Sequence, residues 1–173
     1  MLYYDTYYSP VGKITLISDN KYLIGLYIEG QKYFMNKIKE TPLKNEDIEI
    51  LNKTKLWLDD YFSGRKPNIV DLNIKPNASD FQMEVLNILC EIPYGKTTTY
   101  KEISEKLKIK MNKKNMSPQA VGGAVSHNPI SIIIPCHRVI GADGNLTGYA
   151  GGIEKKIKLL EFEGVDTSKF YIK

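Results

Sequence analysis

Thiols and imidazoles are scarce in this chain: Cys90, Cys136, His127 and His137 are all it has in 173 residues. Neither cysteine sits in a paired motif, which excludes a disulfide framework and points to a reducing compartment, the cytoplasm. The same four residues show no zinc-binding spacing, so neither a metal nor a cofactor is expected. No apolar run approaches the length of a membrane span, and the N-terminus lacks the basic-then-apolar order of a secretory signal. No membrane partner is expected. Charge of one sign is not in large excess: the formal net charge is +4, and residues 1–76 carry 11 basic against 10 acidic side chains, residues 77–173 carry 13 against 10. What remains is a composition ordinary for a globular protein, long enough for one compact domain or two small ones.

Residues 2–8, 12–18 and 22–29 read as three strands rich in Tyr, Ile, Leu and Val, punctuated by Gly12 and by Asp19-Asn20. A meander is the simplest arrangement. Residues 46–62 read as a helix, because Leu51, Thr54, Leu58 and Tyr61 recur at helical spacing with Trp57 beside them. Gly64 and Pro67 stop it. Ile69 to Ile74 reads as one more strand, and Asn73 to Asn77 as a linker. Nothing in this half suggests chemistry.

Beyond the linker, Ser79 and Gln82 form a capping box for a helix with Phe81, Val85 and Leu89 on its buried stripe. Thr99 and Glu102 form a second one, opening a short helix that carries Ile103 and Leu107 and has Tyr100 in its first turn. Between Lys96 and Lys114 stand seven lysines and only Glu102 and Glu105. Such a run is a solvated face or a surface for a phosphate backbone. Ser117 caps the next helix, Pro118 takes its first position, and Asn128-Pro129 stops it near His127. Two short helices across a turn make a helix-turn-helix, in which the second would be the DNA-reading one. Ala120, Gly122, Gly123 and Ala124 give that helix four small residues. Each glycine costs about 1 kcal/mol relative to alanine in a helix interior, so the pattern serves either tight helix packing or close approach to a partner.

The apolar run Ile132-Ile133-Ile134-Pro135 delivers Cys136, with His137 and Arg138 behind it and Val139-Ile140 closing the segment. In an extended chain Cys136 and His137 point to opposite faces, and only a turn or a bridging water couples them. A core cysteine and a buried nucleophile with His137 as base are the two readings of this segment. A glycine-rich loop spans 141–152. Ile153 to Phe162 is a helix with Ile153, Ile157 and Leu160 on one face, ended by Gly164. Glu163 then sits at a helix C-terminus, where the dipole disfavours an anion unless an imidazole holds it.

The flanks favour the nucleophile. Ile92-Pro93-Tyr94-Gly95-Lys96-Thr97, Ala120-Val121-Gly122-Gly123-Ala124, Asn128-Pro129, Pro135-Cys136-His137-Arg138-Val139, Gly148-Tyr149-Ala150-Gly151-Gly152 and Leu159-Leu160-Glu161-Phe162-Glu163-Gly164 run in order from about Phe81 to Gly164. This ordered set closely resembles the O6-alkylguanine-DNA alkyltransferase (methylated-DNA–protein-cysteine methyltransferase) family. The resemblance implies an α+β protein. Residues 1–76 would form a ribonuclease-H-like domain with a small β-sheet plus helix, and residues 77–173 a mostly helical, winged-helix-like DNA-binding domain that holds the cysteine.

The resemblance also implies the reaction: a single, unregenerated transfer of an alkyl group from O6-alkylguanine, or O4-alkylthymine, to Cys136. The partner would be double-stranded DNA carrying alkylated bases, bound by a monomer through the minor groove, with the damaged nucleotide flipped out. His137 would act through a water, Glu163 would orient it, and Asn128 would brace the turn. Tyr100, Val139, Tyr149 and Ala150 would contact the base, and Lys156 would lie near the site or else be a solvated helix charge. Thr99, Tyr100, Ser117, Gln119, Ala120, Gly122 and Gly123 would face DNA. Gln119 departs from the family pattern, which places there an arginine that fills the gap left by the flipped base. A non-catalytic binder of alkylated DNA and a cysteine hydrolase are the competing classes. The first is opposed by Cys136, and the second lacks a recognisable oxyanion hole.

Overall fold

The computed structural model describes residues 1–146 and 148–172. They divide into two compact units, Met1–Asn77 with Pro129–Ile133, and Ala78–Asn128 with Ile134–Lys173.

In the first unit, β1 (Tyr3–Ser9), β2 (Gly12–Ser18) and β3 (Leu23–Ile28) form an antiparallel meander. A two-residue turn, Pro10-Val11, joins β1 to β2, and Gly12 directly after it has a positive φ of 112°. A fourth strand, β4 (Leu43–Lys44), runs parallel to β1, giving the order β3-β2-β1-β4. Its two exposed residues offer no alternation, so nothing in the sequence announces it. Helix α1 (Glu49–Phe62) packs on β1, β2 and β3. Its buried stripe, Leu51, Thr54, Trp57, Leu58 and Tyr61, is the one that the 3.6-residue spacing picks out.

Ile69 to Ile74 is not a strand. Asn68 accepts a hydrogen bond from the Val70 N–H through its side chain, and Ile69–Asp71 closes into a 3₁₀ turn. A local side-chain cap outcompetes the ladder there. Only Ile74 bridges to Leu23, flanked by Leu23 N–H to Asn73 carbonyl and Lys75 N–H to Leu23 carbonyl bonds of 2.8 Å each, so part of the expected linker edges the sheet. Pro129–Ile133, which a cut at 76/77 assigns to the second domain, also belongs to this unit. Leu26 donates to the Pro129 carbonyl at 2.9 Å and accepts from Ser131 at 3.1 Å.

The second unit holds α2 (Asp80–Cys90), β5 (Thr98–Thr99), α3 (Tyr100–Lys110), α4 (Pro118–Ser126), β6 (Val139–Ile140) and α5 (Ile153–Phe162). Helices α2, α3 and α4 pack pairwise. Ser79 caps α2, and Ser117 caps α4 with Pro118 in the first turn. Thr99 and Glu102 make the full reciprocal box on α3, which runs on to Lys110. Phe81, expected in the α2 stripe, is half-buried, whereas Gln82 is buried and its amide donates to the Ala124 carbonyl of α4 at 3.2 Å. Strands β5 and β6 pair in parallel, Thr98 with Val139 and Thr99 with Ile140, and this fixes the start of α3 beside the Cys136 segment.

Candidate active site

The segment that carries Cys136 is neither a strand nor extended. At Ile132 φ is +70°, and the Ile133 N–H bonds the Ser131 carbonyl at 2.8 Å, a γ-turn with positive φ. A β-branched residue there stores strain of about 1–3 kcal/mol. At Pro135, φ −82° and ψ 64° with a 2.8 Å bond from the Cys136 N–H to the Ile134 carbonyl make an inverse γ-turn. Asn128 donates through Nδ2 to that same carbonyl at 2.8 Å, so the turn is anchored twice. Cys136–Arg138 then forms one 3₁₀ turn. Its three residues per turn send Cys136 and His137 about 120° apart rather than to opposite faces.

All three side chains are buried: Cys136 is 5% exposed, His137 0% and Arg138 9%. Burial pushes the Cys136 thiol up. A hydrogen bond from Asn128, the Lys156 charge and the backbone N–H groups of Cys136 and His137 oppose that rise. The site therefore favours a neutral resting thiol while holding donors ready for a thiolate.

His137 Nε2 lies 2.5 Å from Glu163 Oε2. An ionised carboxylate only accepts, so the proton sits on Nε2 and the lone pair on Nδ1. Burial lowers the His137 pKa, with Glu163 opposing. Glu163 Oε1 accepts from Arg138 Nε at 2.7 Å and from the Gly95 N–H at 3.0 Å. Burial alone would raise Glu163, but its bonds to His137 and Arg138 outweigh that and hold it at about 2. These donors offset the unfavourable dipole at the end of α5.

The socket for this carboxylate is the Ile92–Gly95 turn. Arg138 donates to the Ile92 carbonyl at 2.6 Å and lies 5.8 Å from the centre of the Tyr94 ring, whose hydroxyl donates to Phe162 at 2.9 Å. Gly95 has φ +77°, and a Cβ there would fall 2.9 Å from the Glu163 carbonyl oxygen, so only glycine fits. Arg138 is the residue that sequence reasoning passed over, because its partners are 25 and 46 positions away.

Lys156 is fully buried, which removes its reading as a solvated helix charge. Its Nζ donates to the Val139 carbonyl at 2.5 Å and lies 5.9 Å from the centre of the Tyr149 ring. Burial brings its pKa down to about 8, with Cys136 opposing. Tyr149 is also buried, and its hydroxyl has no hydrogen-bond partner among the described residues. Burial first and Cys136 second raise both Tyr149 and Tyr100, the latter to about 12. Ala150 is half-buried beside Tyr149.

The outer face of α4 bears on the two readings of its small residues. Ser117, Gln119 and Ala120 are exposed, and a Cβ on Gly122 or Gly123 would meet nothing within 4 Å. Helix packing thus does not call for these two glycines. Tyr100, Pro118, Gln119, Gly122, Ser126 and Gly148 line an open cleft of about 390 Å³. Thr99 is engaged as the α3 cap. Among the described residues no group of three or more His, Cys, Asp or Glu is placed to hold a metal ion, and no helix is long and apolar enough to cross a membrane.

A small mixed sheet with its helix, and a helical unit centred on a buried Cys-His-Glu arrangement, define a two-domain protein built around one cysteine. Models of 6-O-methylguanine DNA methyltransferase match both halves, the ribonuclease-like domain over residues 2–76 and the DNA-binding domain over residues 80–165. The chain belongs to the 6-O-methylguanine DNA methyltransferase family. It is 43% identical over 163 residues to a methylated-DNA–protein-cysteine methyltransferase of Methanosarcina barkeri, covering 94% of this chain and 97% of that one. It is 38% identical to the protein of the same name from Haemophilus influenzae, covering 95% and 87%. Among solved structures, the Mycobacterium tuberculosis O6-methylguanine methyltransferase superposes with a TM-score of 0.80 at 37% identity, over 94% of this chain and 93% of that one. The M. tuberculosis protein in complex with DNA gives 0.81 at 36% identity, over 97% and 94%.

Proposed function

We propose that this chain repairs DNA by one direct, stoichiometric transfer of an alkyl group from O6-alkylguanine, with O4-alkylthymine as a second substrate, to Cys136. It acts as a cytoplasmic monomer on duplex DNA, with α4 in the minor groove and the damaged nucleotide flipped out. The observation that carries this reading is the buried thiol itself. It is surrounded by donors that stabilise a thiolate, and its neighbour His137 is held as a base by Glu163.

The Cys136 proton passes through a water to His137 Nδ1, while Glu163 steadies the imidazolium that forms. The sulfur attacks the alkyl carbon, the carbon–O6 bond breaks, and its electron pair leaves with the guanine. The sulfur keeps the alkyl group as a thioether, so each molecule acts once. Asn128 braces the turn. Tyr100 donates to guanine N3. The Val139 and Cys136 carbonyls accept from the exocyclic amine, Val139 with the lone pair that Lys156 leaves. Tyr149 stacks on the base, and the Ala150 N–H donates toward O6. Thr99, Ser117, Gln119, Ala120, Gly122 and Gly123 form the face toward the backbone, where the absence of bulk on α4 allows close approach.

Intact mass after incubation with methylated duplex tests the reading. A permanent gain of one methyl group on Cys136 is expected. Binding with no mass change would make the protein a reader of alkylated DNA, and turnover without an adduct would make it a hydrolase.

A further inference from the structure

Residues 141–146, the first part of the glycine-rich stretch, are pinned by a segment far along the chain. Gly141 N–H bonds the Asn145 carbonyl at 2.8 Å and Gly144 N–H the Gly141 carbonyl at 2.9 Å, which makes the first half a tight turn. Tyr171 then pairs with it on both sides. Leu146 N–H donates to the Tyr171 carbonyl at 2.9 Å, and Tyr171 N–H donates to the Gly144 carbonyl at 3.1 Å. The Tyr171 hydroxyl donates to the Asp143 carboxylate. Phe170 packs on the apolar cluster of Ile140, Leu146 and Leu160. At Gly144 φ is +90°, and a Cβ would sit 3.3 Å from the Lys169 carbonyl, so glycine lets the segment pass close.

The second half of the loop carries Tyr149 and Ala150 between Gly148 (φ +97°) and Gly152 (φ +95°). The Tyr149 ring rests against its own loop: a Cβ on Gly151 would fall 2.6 Å from it. The ring therefore travels with the loop backbone. Whatever fixes that backbone fixes the wall of the site.

We propose that Phe170 and Tyr171 are positioning residues: they strap down the loop that carries Tyr149 and so set how large an alkyl group the site accepts. This rests on the alkyl-transfer reading above. With the strap in place the wall stands close, which suits a methyl group and crowds a bulky one. Releasing it moves the wall outward. Bulky groups gain access, and methyl transfer slows because the base is held less firmly.

The test compares single-turnover rates on duplexes carrying O6-methylguanine and O6-benzylguanine, with amide hydrogen exchange of the full chain alongside. Tyr171→Pro removes the N–H that holds Gly144 and should raise the benzyl-to-methyl rate ratio about tenfold. It should also speed exchange at Gly152, which donates to the Tyr149 carbonyl at 3.1 Å and makes no bond to the strap. Tyr171→Phe keeps both backbone bonds, and its ratio should stay within about threefold of the parent. Two rates falling by one common factor, or unchanged exchange at Gly152 in Tyr171→Pro, would overturn the strap. If the parent transfers neither group, the alkyl-transfer reading fails instead, and the exchange measurement still decides whether the strap holds the loop.

Discussion

The two units bury polar groups to different ends. In the first, Asp5 pairs with Lys55, Thr54 donates to the Ile50 carbonyl one turn back, Gln31 accepts from the Ile28 N–H and Ser18 accepts from the Asn20 N–H. Three of these four contacts lie within four positions of their partners, and each satisfies a backbone group or one charge. In the second unit a thiol, an imidazole, a guanidinium, an amine and a carboxylate share one interior. Taken singly, each is an expensive thing to bury. The first unit satisfies its buried polar groups one partner at a time, the second gathers them in one cluster, and single substitutions should separate the two arrangements.

The widest separation comes from Cys136→Ser. It should abolish transfer, measured as adduct mass, while duplex binding and thermal stability stay near the parent's. Cys90→Ser should remain active, since burial and Glu91 push that thiol up to about 11. Adduct formation by the Cys136 variant would remove the nucleophile assignment.

Next comes Glu163→Gln, expected to slow the single-turnover rate about a hundredfold to ten-thousandfold with little loss of affinity. It should also change the acid limb of stability. The Glu163 pKa is held at about 2, below its ordinary 4.5, so its contribution is complete above 4.5 and lost as pH falls toward 2. His137, lowered by burial, adds loss in the same direction as pH falls below 6.5. Together they make the folded state acid-sensitive, and the Glu163 share is on the order of 3 kcal/mol. Denaturant melts between pH 7 and 3 should show the variant with the flatter profile. In contrast, Leu58→Ala in the first unit should cost about 2–5 kcal/mol at every pH and leave the rate per folded molecule alone.

A smaller effect, with opposite signs in its two readouts, is expected from Gly122→Ala. Its Cβ would touch nothing, so α4 should gain about 1 kcal/mol of stability. Affinity for duplex DNA should fall about tenfold if that face approaches the groove. A gain in stability with unchanged affinity would take α4 out of the interface.

The smallest effect concerns Gln119. Arginine there should improve transfer from methylated duplex by a few-fold, about 1 kcal/mol, through stacking that glutamine lacks. Single-stranded substrate has no orphaned base and should not respond. Equal responses would show that Gln119 does not fill the gap.

The contrast between the units also explains what could be read in the sequence. The helices were legible because their information is local: the stripe of α1, the Thr99–Glu102 box, the Ser117-Pro118 start. The Ile69–Ile74 segment was misread because Asn68 caps it, and a cap one residue outside an apolar run carries no periodic signal. The carboxylate socket was invisible for a different reason. Gly95 reaches Glu163 across 68 positions, and only contact reveals that a turn glycine and a helix-end glutamate need each other. Lys156 shows the limit most plainly: three after Ile153 and four before Leu160, its spacing puts it on the apolar face, while its charge argued for solvent.

The excursion of Pro129–Ile133 into the sheet of the first unit bears on how the protein can be divided. A fragment starting at Ala78 would carry Ile130, Ile132 and Ile133 with no Leu26 backbone to lie against. Three isoleucines in a row of five residues, fully or almost fully shielded in the intact chain, would face water just ahead of the cysteine. Such a fragment is expected to be sticky rather than inert. During synthesis the order is fortunate: the sheet emerges first and waits as a template. Chain order thus places the sheet ahead of the isoleucines that lie against it, and both ahead of Cys136.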